Sequence, residues 1–208
     1  MKFFKNTLFF ALLVVFSATA SAQYLEYTAT DASKLWFDGT STLHDFTCHA
    51  NAIDATVVFS PDLLNGAPGA TQQGTVTVPV EQITHENDGL TKNMYKVLEP
   101  EVWPHITFAW NSIQVNGDEQ ADNDMNGTIR GALTIKGETR EVQFPVEIKG
   151  FDTADTLQVV GDYALYLSNF DIKRPSFFLG TLKVGDEINI KFDMTFAQTN
   201  RYEELTQR

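Results

Sequence analysis

The stretch DEINIKFDMTF (residues 186–196) decides the fold, because apolar and polar residues alternate along its whole length. Such alternation is typical of an antiparallel strand with one face on a core and the other in water. TREVQFPVEIK (residues 139–149) repeats the pattern. The apolar residues of the two stretches are Val142, Phe144, Val146, Ile148, Ile188, Ile190, Phe192, Met194 and Phe196.

Weaker copies of this pattern run along the rest of the chain. LTIKGETREV predicts a hairpin at Lys136-Gly137, because a tight turn needs the positive φ that glycine adopts at no steric cost. About eight strands, several longer than the usual five or six residues, favour a closed up-and-down barrel, which has no exposed edges. The further predicted strands lie within residues 24–30, 35–59 (two strands), 76–80, 106–115, 128–136 and 157–167.

One segment follows a helical period instead. In NDGLTKNMYKVLEPEVWP (residues 87–104) the apolar residues Leu90, Met94, Val97 and Leu98 form one stripe, which predicts a helix that ends by Pro100. Two polar segments, residues 60–74 and 116–127, are predicted loops. The second is acidic, but its spacing lacks the order of a calcium-binding loop.

The first 22 residues predict export. A basic start, a short apolar run and small residues at Ala20 and Ala22 are typical of a secretory signal peptide that is cleaved after Ala22. Residues 23–208 then form one domain in the periplasm, and a single cysteine allows no internal disulfide. This part has 13 basic and 27 acidic residues, a balance that argues against nucleic acid and anionic membranes as partners.

GTSTLHDFTCH (residues 39–49) contains the residues with most chemical potential, including His44, Asp45, Cys48 and His49. Its threonines favour an extended strand, in which residues four apart are separated by about 13 Å. Ligands of one zinc ion sit about 2 Å from the metal, so we predict no metal site here. We expect His44 and Cys48 to share one face, Asp45 to lie on the other, and Cys48 to be a buried apolar residue. Pairing of His44 or Asp45 with a distant group, such as His85, His105 or Arg174, stays open.

No nucleophile elbow, zinc-protease motif or phosphate-binding glycine loop occurs, so we predict a protein without enzymatic activity, catalytic residues or cofactor. Four motifs in this order resemble the YceI-like family of exported lipid-binding proteins. Asp171 stands where that family usually has glycine, and its usual helix motif is missing. The four motifs are WPHITF (103–108), GALTIKGETREVQFPV (131–146), SNFDI (168–172) and LKVGDEINI (182–190).

The resemblance implies an all-β fold, an eight-stranded antiparallel lipocalin-like barrel with one short helical segment. It also implies a binding protein that sequesters or carries a polyisoprenoid or quinone-type lipid in an apolar tunnel, with no stable membrane insertion. If His44 faces inward, it is a candidate contact for a lipid head group. The residues predicted to line the tunnel are Phe108, Trp110, Phe144, Val146, Phe192, Met194 and Phe196.

Three other interpretations stay open at this stage. An outer-membrane-type barrel would need an outward apolar band flanked by aromatic girdles. A filled structural barrel would have no tunnel, and an enzyme or metal protein would be built around His44 and Asp45. Oligomeric state, a homodimer included, is also open.

Overall fold

The structure is a computed structural model that describes residues 24–60, 72–116, 125–150, 155–174, 176–177 and 182–199. The predicted signal peptide (1–22) and most of the predicted acidic loop lie outside these residues. The described strands and the helix are β1 (Leu25–Ala29), β2 (Lys34–Ser41), β3 (Phe46–Ala50), β4 (Asp54–Phe59), β5 (Gln72–Pro79), β6 (Ile83–Thr84), α1 (Asp88–Leu98), β7 (His105–Asn116), β8 (Met125–Ile135), β9 (Glu138–Lys149), β10 (Thr156–Tyr166), β11 (Ser176–Phe177) and β12 (Leu182–Gln198).

The strands close into one antiparallel barrel. The ring has eight strand positions. Three of them each contain two strands separated by a short break: β1 with β2, β3 with β4, and β5 with β6. β12 closes the ring, because one edge pairs with β10 from Glu187 to Ala197 and the other edge pairs with β2 and then β1. The predicted eight-stranded antiparallel barrel is thereby confirmed. No helix among the described residues is long and apolar enough to cross a membrane.

Hydroxyl groups hold the chain to β12 where β1 breaks into β2. The Thr30 and Ser33 hydroxyls donate to the Thr195 carbonyl at 3.1 and 3.0 Å, and the Thr195 N–H donates to Ser33 Oγ at 3.1 Å. Side-chain groups thus replace the ladder bonds that the break removes. The barrel wall stays continuous although the strand bends.

The predicted hairpin at Lys136-Gly137 and the predicted end of the helix by Pro100 are both confirmed. Lys136 and Gly137 both have positive φ, 51° and 79°, as a two-residue hairpin between β8 and β9 requires. Helix α1 begins after Asn87, whose Oδ1 accepts from the N–H groups of Gly89 and Leu90. It ends at Leu98, and Glu99 is the C-cap residue before Pro100. The predicted stripe of α1 packs on the barrel core, with Leu90 and Met94 near Cys48 and with Val97 and Leu98 near Phe170.

Helix α1 marks one end of the barrel, which we call the helix end. The β2–β3 turn, the β8–β9 hairpin and the start of β12 lie at the same end. Tyr95 anchors α1 there, because its hydroxyl lies 2.7 Å from the Glu81 carbonyl oxygen and 3.0 Å from that of Ile83. No residue of α1 is fully buried, so the helix covers this end without entering the core.

The predicted single strand through residues 39–49 is wrong. Residues 42–45 form a turn between β2 and β3, so His44 and Asp45 are exposed and do not belong to a strand. Ser41 makes this turn: its Oγ accepts from the N–H groups of Leu43 and His44 at 3.3 Å and donates to the His44 carbonyl at 2.8 Å. A serine side chain that bonds to nearby backbone offers it an alternative to the strand ladder.

The wall has a seam between β9 and β10. Their ladder runs from Lys149 to Val146 and stops at Pro145, which has no N–H to donate. Toward the helix end the two strands are unpaired within the described residues, while each still pairs with its other neighbour. The 3-10 turn Leu167–Phe170 and the residues after it close this seam, because Phe170 and Ile172 are 2% and 3% exposed.

We expect Gly74→Ala to destabilise the barrel by about 1–3 kcal/mol, since overpacking a tight contact has this cost. Gly74 pairs with Trp110 across β5 and β7, and a Cβ at residue 74 would meet the indole ring at 2.5–2.7 Å. Urea denaturation of Gly74→Ala, Trp110→Leu and the double variant measures the coupling. The cost of Gly74→Ala should largely vanish when the ring is absent. An equal cost in both backgrounds would show that the ring is not the cause.

Candidate functional site

An internal cavity of about 190 Å³ occupies the barrel. Its lining runs along β8 from Met125 to Ile135, which at about 3.4 Å per residue and a tilt near 40° spans about 25 Å of the barrel axis. The volume is below the 300–1,000 Å³ of typical small-molecule sites. The cavity is therefore long and slender rather than round.

The wall of this cavity is wholly apolar. Among the described residues, no nitrogen or oxygen atom contributes to it, and the lining side chains are aliphatic, aromatic or methionine. No polar or charged residue of the described chain is buried. A molecule inside the cavity can therefore be held only by dispersion and by the exclusion of water.

All seven residues predicted to line the tunnel lie on the cavity wall. Trp110, Val146, Met194 and Phe196 are buried, and the other three are half-buried. That they contact a bound lipid stays a prediction. His44 is in the exposed β2–β3 turn and is not part of the lining, so the position proposed for a head-group contact lies outside the cavity.

Aromatic rings form a layer at mid-barrel. Phe144 of β9 is central, with ring centroids 5.3 Å from Phe108, 5.4 Å from Tyr163 and 5.8 Å from Phe192. All three rings contact the Phe144 ring at tilted or edge-on angles, as aromatic pairs prefer. Burial also raises the pKa of the Tyr163 phenol. The four rings all belong to the lining of the cavity.

Sequence reasoning missed most of the lining. The additional lining residues come mainly from β2, β4, β5, β7, β8 and β10, and they follow the same period of two. In β8, for example, Ile129, Leu133 and Ile135 line the cavity. In this strand, Gly127 and Gly131 interrupt the apolar series on the inward face, so the alternation is harder to see. The period of two, continued through the glycines, would have found these residues of β8.

A second, shallow groove lies outside the barrel beside the residues of the proposed metal or enzymatic alternative. Asp45, His49, His85 and Glu86 border it, together with Asp38. Asp38 is bound to other protein groups, because Lys191 Nζ donates to its Oδ2 at 2.8 Å and Thr47 donates to its Oδ1 at 2.6 Å, which lowers the pKa of the carboxyl. Within the described residues, no three histidine, cysteine or acidic side chains are placed to hold a metal ion.

Cys48 lies in the core, as its residue type predicted. Its side chain is 0% exposed and packs with Val78 and Ile83 under α1. Burial raises the pKa of the thiol to about 12, so the thiolate does not form at neutral pH. Cys48 is therefore a packing residue and not a nucleophile.

A closed antiparallel barrel around a slender apolar cavity defines a lipocalin-like protein. A family model for the YceI-like domain matches residues 27–196, and the chain belongs to this family. No curated protein matches the chain. The resemblance found in four short motifs thus extends over the whole barrel.

Solved structures show the same fold at low sequence identity. BcnA of Burkholderia cenocepacia is 21% identical, with a TM-score of 0.64 over 80% of this chain and 98% of its own. A polyisoprenoid-binding domain of Saccharophagus degradans, implicated in plant cell wall breakdown, is 12% identical, with a TM-score of 0.65 over 84% and 99%. The YceI protein of Campylobacter jejuni is 17% identical, with a TM-score of 0.55 over 74% and 84%.

We expect the Cys48 thiol to resist alkylation in the folded protein. A thiol with a pKa of about 12 has about a thousandfold less thiolate at pH 8 than one with a pKa of 9, and the thiolate is the reactive form. Because the unfolded thiol ionises first, raising the pH from 9 to 12 should also favour unfolding. Iodoacetamide labelling followed by mass spectrometry, with and without urea, measures the difference. Equal labelling rates would contradict the burial of Cys48.

Proposed function

We propose that this protein is a non-enzymatic carrier that binds one polyisoprenoid or quinone-type lipid chain inside the barrel. The observation that carries this proposal is the cavity, whose lining extends over about 25 Å of the barrel axis and has no polar wall atom among the described residues. A polar ligand would leave its hydrogen-bonding groups without partners there, at a cost of several kcal/mol. A long hydrocarbon chain has no such groups.

Burial of apolar ligand surface supplies the affinity, at about 25 cal/mol per Å² before the costs of association are subtracted. Without polar contacts in the wall, selectivity depends on the length and width of the chain. The aromatic rings around Phe144 line the cavity at mid-barrel, where a chain too wide to pass them would be excluded. Any polar head group would lie outside the cavity, where water can solvate it.

The family supports this proposal. The Saccharophagus degradans domain with the same fold is described as polyisoprenoid-binding. The basic and apolar start of the chain, with Ala20 and Ala22 before the predicted cleavage point, supports export to the periplasm. A carrier in that compartment would shield an insoluble chain from water.

Mass spectrometry of organic extracts tests the proposal directly. Protein purified from its native source should release an isoprenoid lipid in about equimolar amount, and the emptied protein should bind polyprenyl and quinone analogues. The control is an analogue that lacks the long hydrocarbon tail, and it should not bind. Recovery of no lipid together with no binding of either analogue would refute the carrier function.

A matched pair of substitutions in β10 tests where the lipid binds. Val159 lines the cavity and pairs with Met194, whereas its neighbour Val160 points to the outside of the wall. We expect Val159→Phe to weaken analogue binding and Val159→Trp to weaken it at least about tenfold, since the loss of two methylene-sized contacts costs about 1.6 kcal/mol. Val160→Trp should bind as the parent protein does.

Fluorescence titration with a polyene analogue gives the affinities, and urea denaturation checks that each variant folds. Equal effects of the two tryptophan substitutions would place the lipid outside the cavity.

A further inference from the structure

The seam between β9 and β10 leaves part of the barrel wall without a backbone ladder. The ladder joins residues 146–149 of β9 to residues 158–161 of β10. In the same register, residues 162–166 would face residues 141–145, but these two described stretches form no ladder pairs. At about 3.4 Å per residue, the unpaired stretch is about 17 Å long. Side chains, and not a backbone ladder, therefore complete the wall here.

Buried side chains fill this seam directly beside the cavity. Phe170 and Ile172 belong to one buried cluster with Leu133, which also lines the cavity. The rings of Phe144 and Tyr163 contact each other across the seam, line the same cavity and pack against this cluster. Movement of these side chains would therefore connect the cavity to the outside through the wall of the barrel.

The plugging side chains belong to one short segment, residues 167–172, which we call the gate segment. The Ile172 N–H donates to the Leu167 carbonyl at 3.1 Å, so the segment is folded on itself as one unit. At the surface, Asp171 attaches it to Arg140 of β9, with Oδ2 and Nη2 3.6 Å apart. Exposed ion pairs of this kind contribute little to stability. The gate segment therefore depends on other contacts to stay in place.

Asp186 of β12 makes a second and stronger contact with the gate segment. Its Oδ2 accepts from the Ser168 hydroxyl at 2.6 Å, and its Oδ1 accepts from the Ser168 N–H at 3.0 Å. The bond from the hydroxyl, together with that from the N–H, lowers the pKa of the Asp186 carboxyl. Charge-assisted bonds are roughly twice as strong as neutral ones. Asp186 is therefore the stronger of these two attachments.

An irregularity in β12 directs Asp186 toward the gate segment. Asp186 lies two residues before the buried Ile188, so unbroken alternation would place its carboxylate in the apolar interior. The register between β12 and β2 shifts between Val184 and Ile188, as at a β-bulge. Bulges re-aim side chains, and here the carboxylate reaches Ser168 at the surface. The bulge thus supplies the attachment of the gate segment.

We propose that the gate segment opens and closes a lateral entrance to the cavity, that Asp186 holds it closed, and that the lipid chain passes through the seam. β9 is paired with β8 and β10 with β12 on their other edges, so opening displaces only the gate segment and rotates the two rings. A slot of about 17 Å admits a long chain sideways. Passage of the lipid rests on the proposed carrier function, whereas opening of the segment does not.

Stopped-flow mixing with the polyene analogue measures the rates of entry and exit. We expect Asp186→Ala to raise both rate constants about tenfold, because it removes two charge-assisted bonds that hold the gate segment closed. The affinity should stay unchanged, since the closed protein makes the same contacts with the lipid. Urea denaturation checks that the variant folds.

A charge-matched substitution on the same strand is the control. Asp193 of β12 also accepts a side-chain hydrogen bond, from Gln158 Nε2 at 2.6 Å, but it lies beside the part of β10 that is paired with β9. Asp193→Ala removes the same charge and should leave both rates unchanged. Equal acceleration by the two substitutions would overturn the role of Asp186.

A covalent link tests the gate segment in the opposite direction. The side chains of Ser168 and Asp186 are in contact, so Ser168→Cys with Asp186→Cys allows a disulfide or a short bifunctional thiol reagent to join them. Cys48 is fully buried and does not compete. The linked protein should take up and release the analogue at least about tenfold more slowly, and cleavage of the disulfide should restore both rates. Equal rates with and without the link would overturn the lateral entrance.

Amide hydrogen exchange of the lipid-free protein, followed by NMR, keeps this proposal apart from the carrier function. The Ile172 amide should exchange at least about a hundredfold faster than that of Ile190, which lies where β12 is paired on both edges, and Asp186→Ala should accelerate Ile172 about tenfold further. Exchange of Ile172 as slow as that of Ile190 would overturn the gate segment. Rapid exchange without binding of any analogue would retain its opening and refute the carrier.

Discussion

Closure of the backbone ladder is the constraint on which the rest of this structure depends. The 17 residues of β12 pair with β10 on one edge and with β1 and β2 on the other, so the sheet has no free edge around the ring. Alternating side chains must then face either water or one enclosed interior. Interruptions are tolerated only where other groups complete the ladder, as the Thr30 and Ser33 hydroxyls do at Thr195.

The sequence pattern predicted the features that depend on residues close together in the chain. The alternation of β9 and β12, the Lys136-Gly137 hairpin and the stripe of α1 are local, and each one holds in the structure. The turn at residues 42–45 was missed because it contains no glycine or proline and depends on bonds from Ser41. The breaks in three strands and the seam depend on pairing between distant segments, which one sequence does not display.

The interior and the surface of this barrel separate two kinds of recognition. The cavity wall has no polar atom among the described residues, and thus nothing inside can distinguish one head group from another. Charged side chains of the described residues all lie at the outside. A protein arranged in this way would sort its cargo by the dimensions of the chain.

The end of the ladder at Pro145 changes the free energy that separating β9 from β10 would cost. In a fully paired barrel, parting two strands would break a row of backbone hydrogen bonds, each costly to leave unmade. Here the ladder already ends at Val146. Beyond it β9 and β10 are joined by the contact of the Phe144 and Tyr163 rings, by the buried side chains of Phe170 and Ile172, and by the surface pair of Arg140 with Asp171. Widening the barrel at this seam would expose apolar side chains to water and would not break a row of backbone hydrogen bonds. The secondary structure on both sides would remain intact throughout.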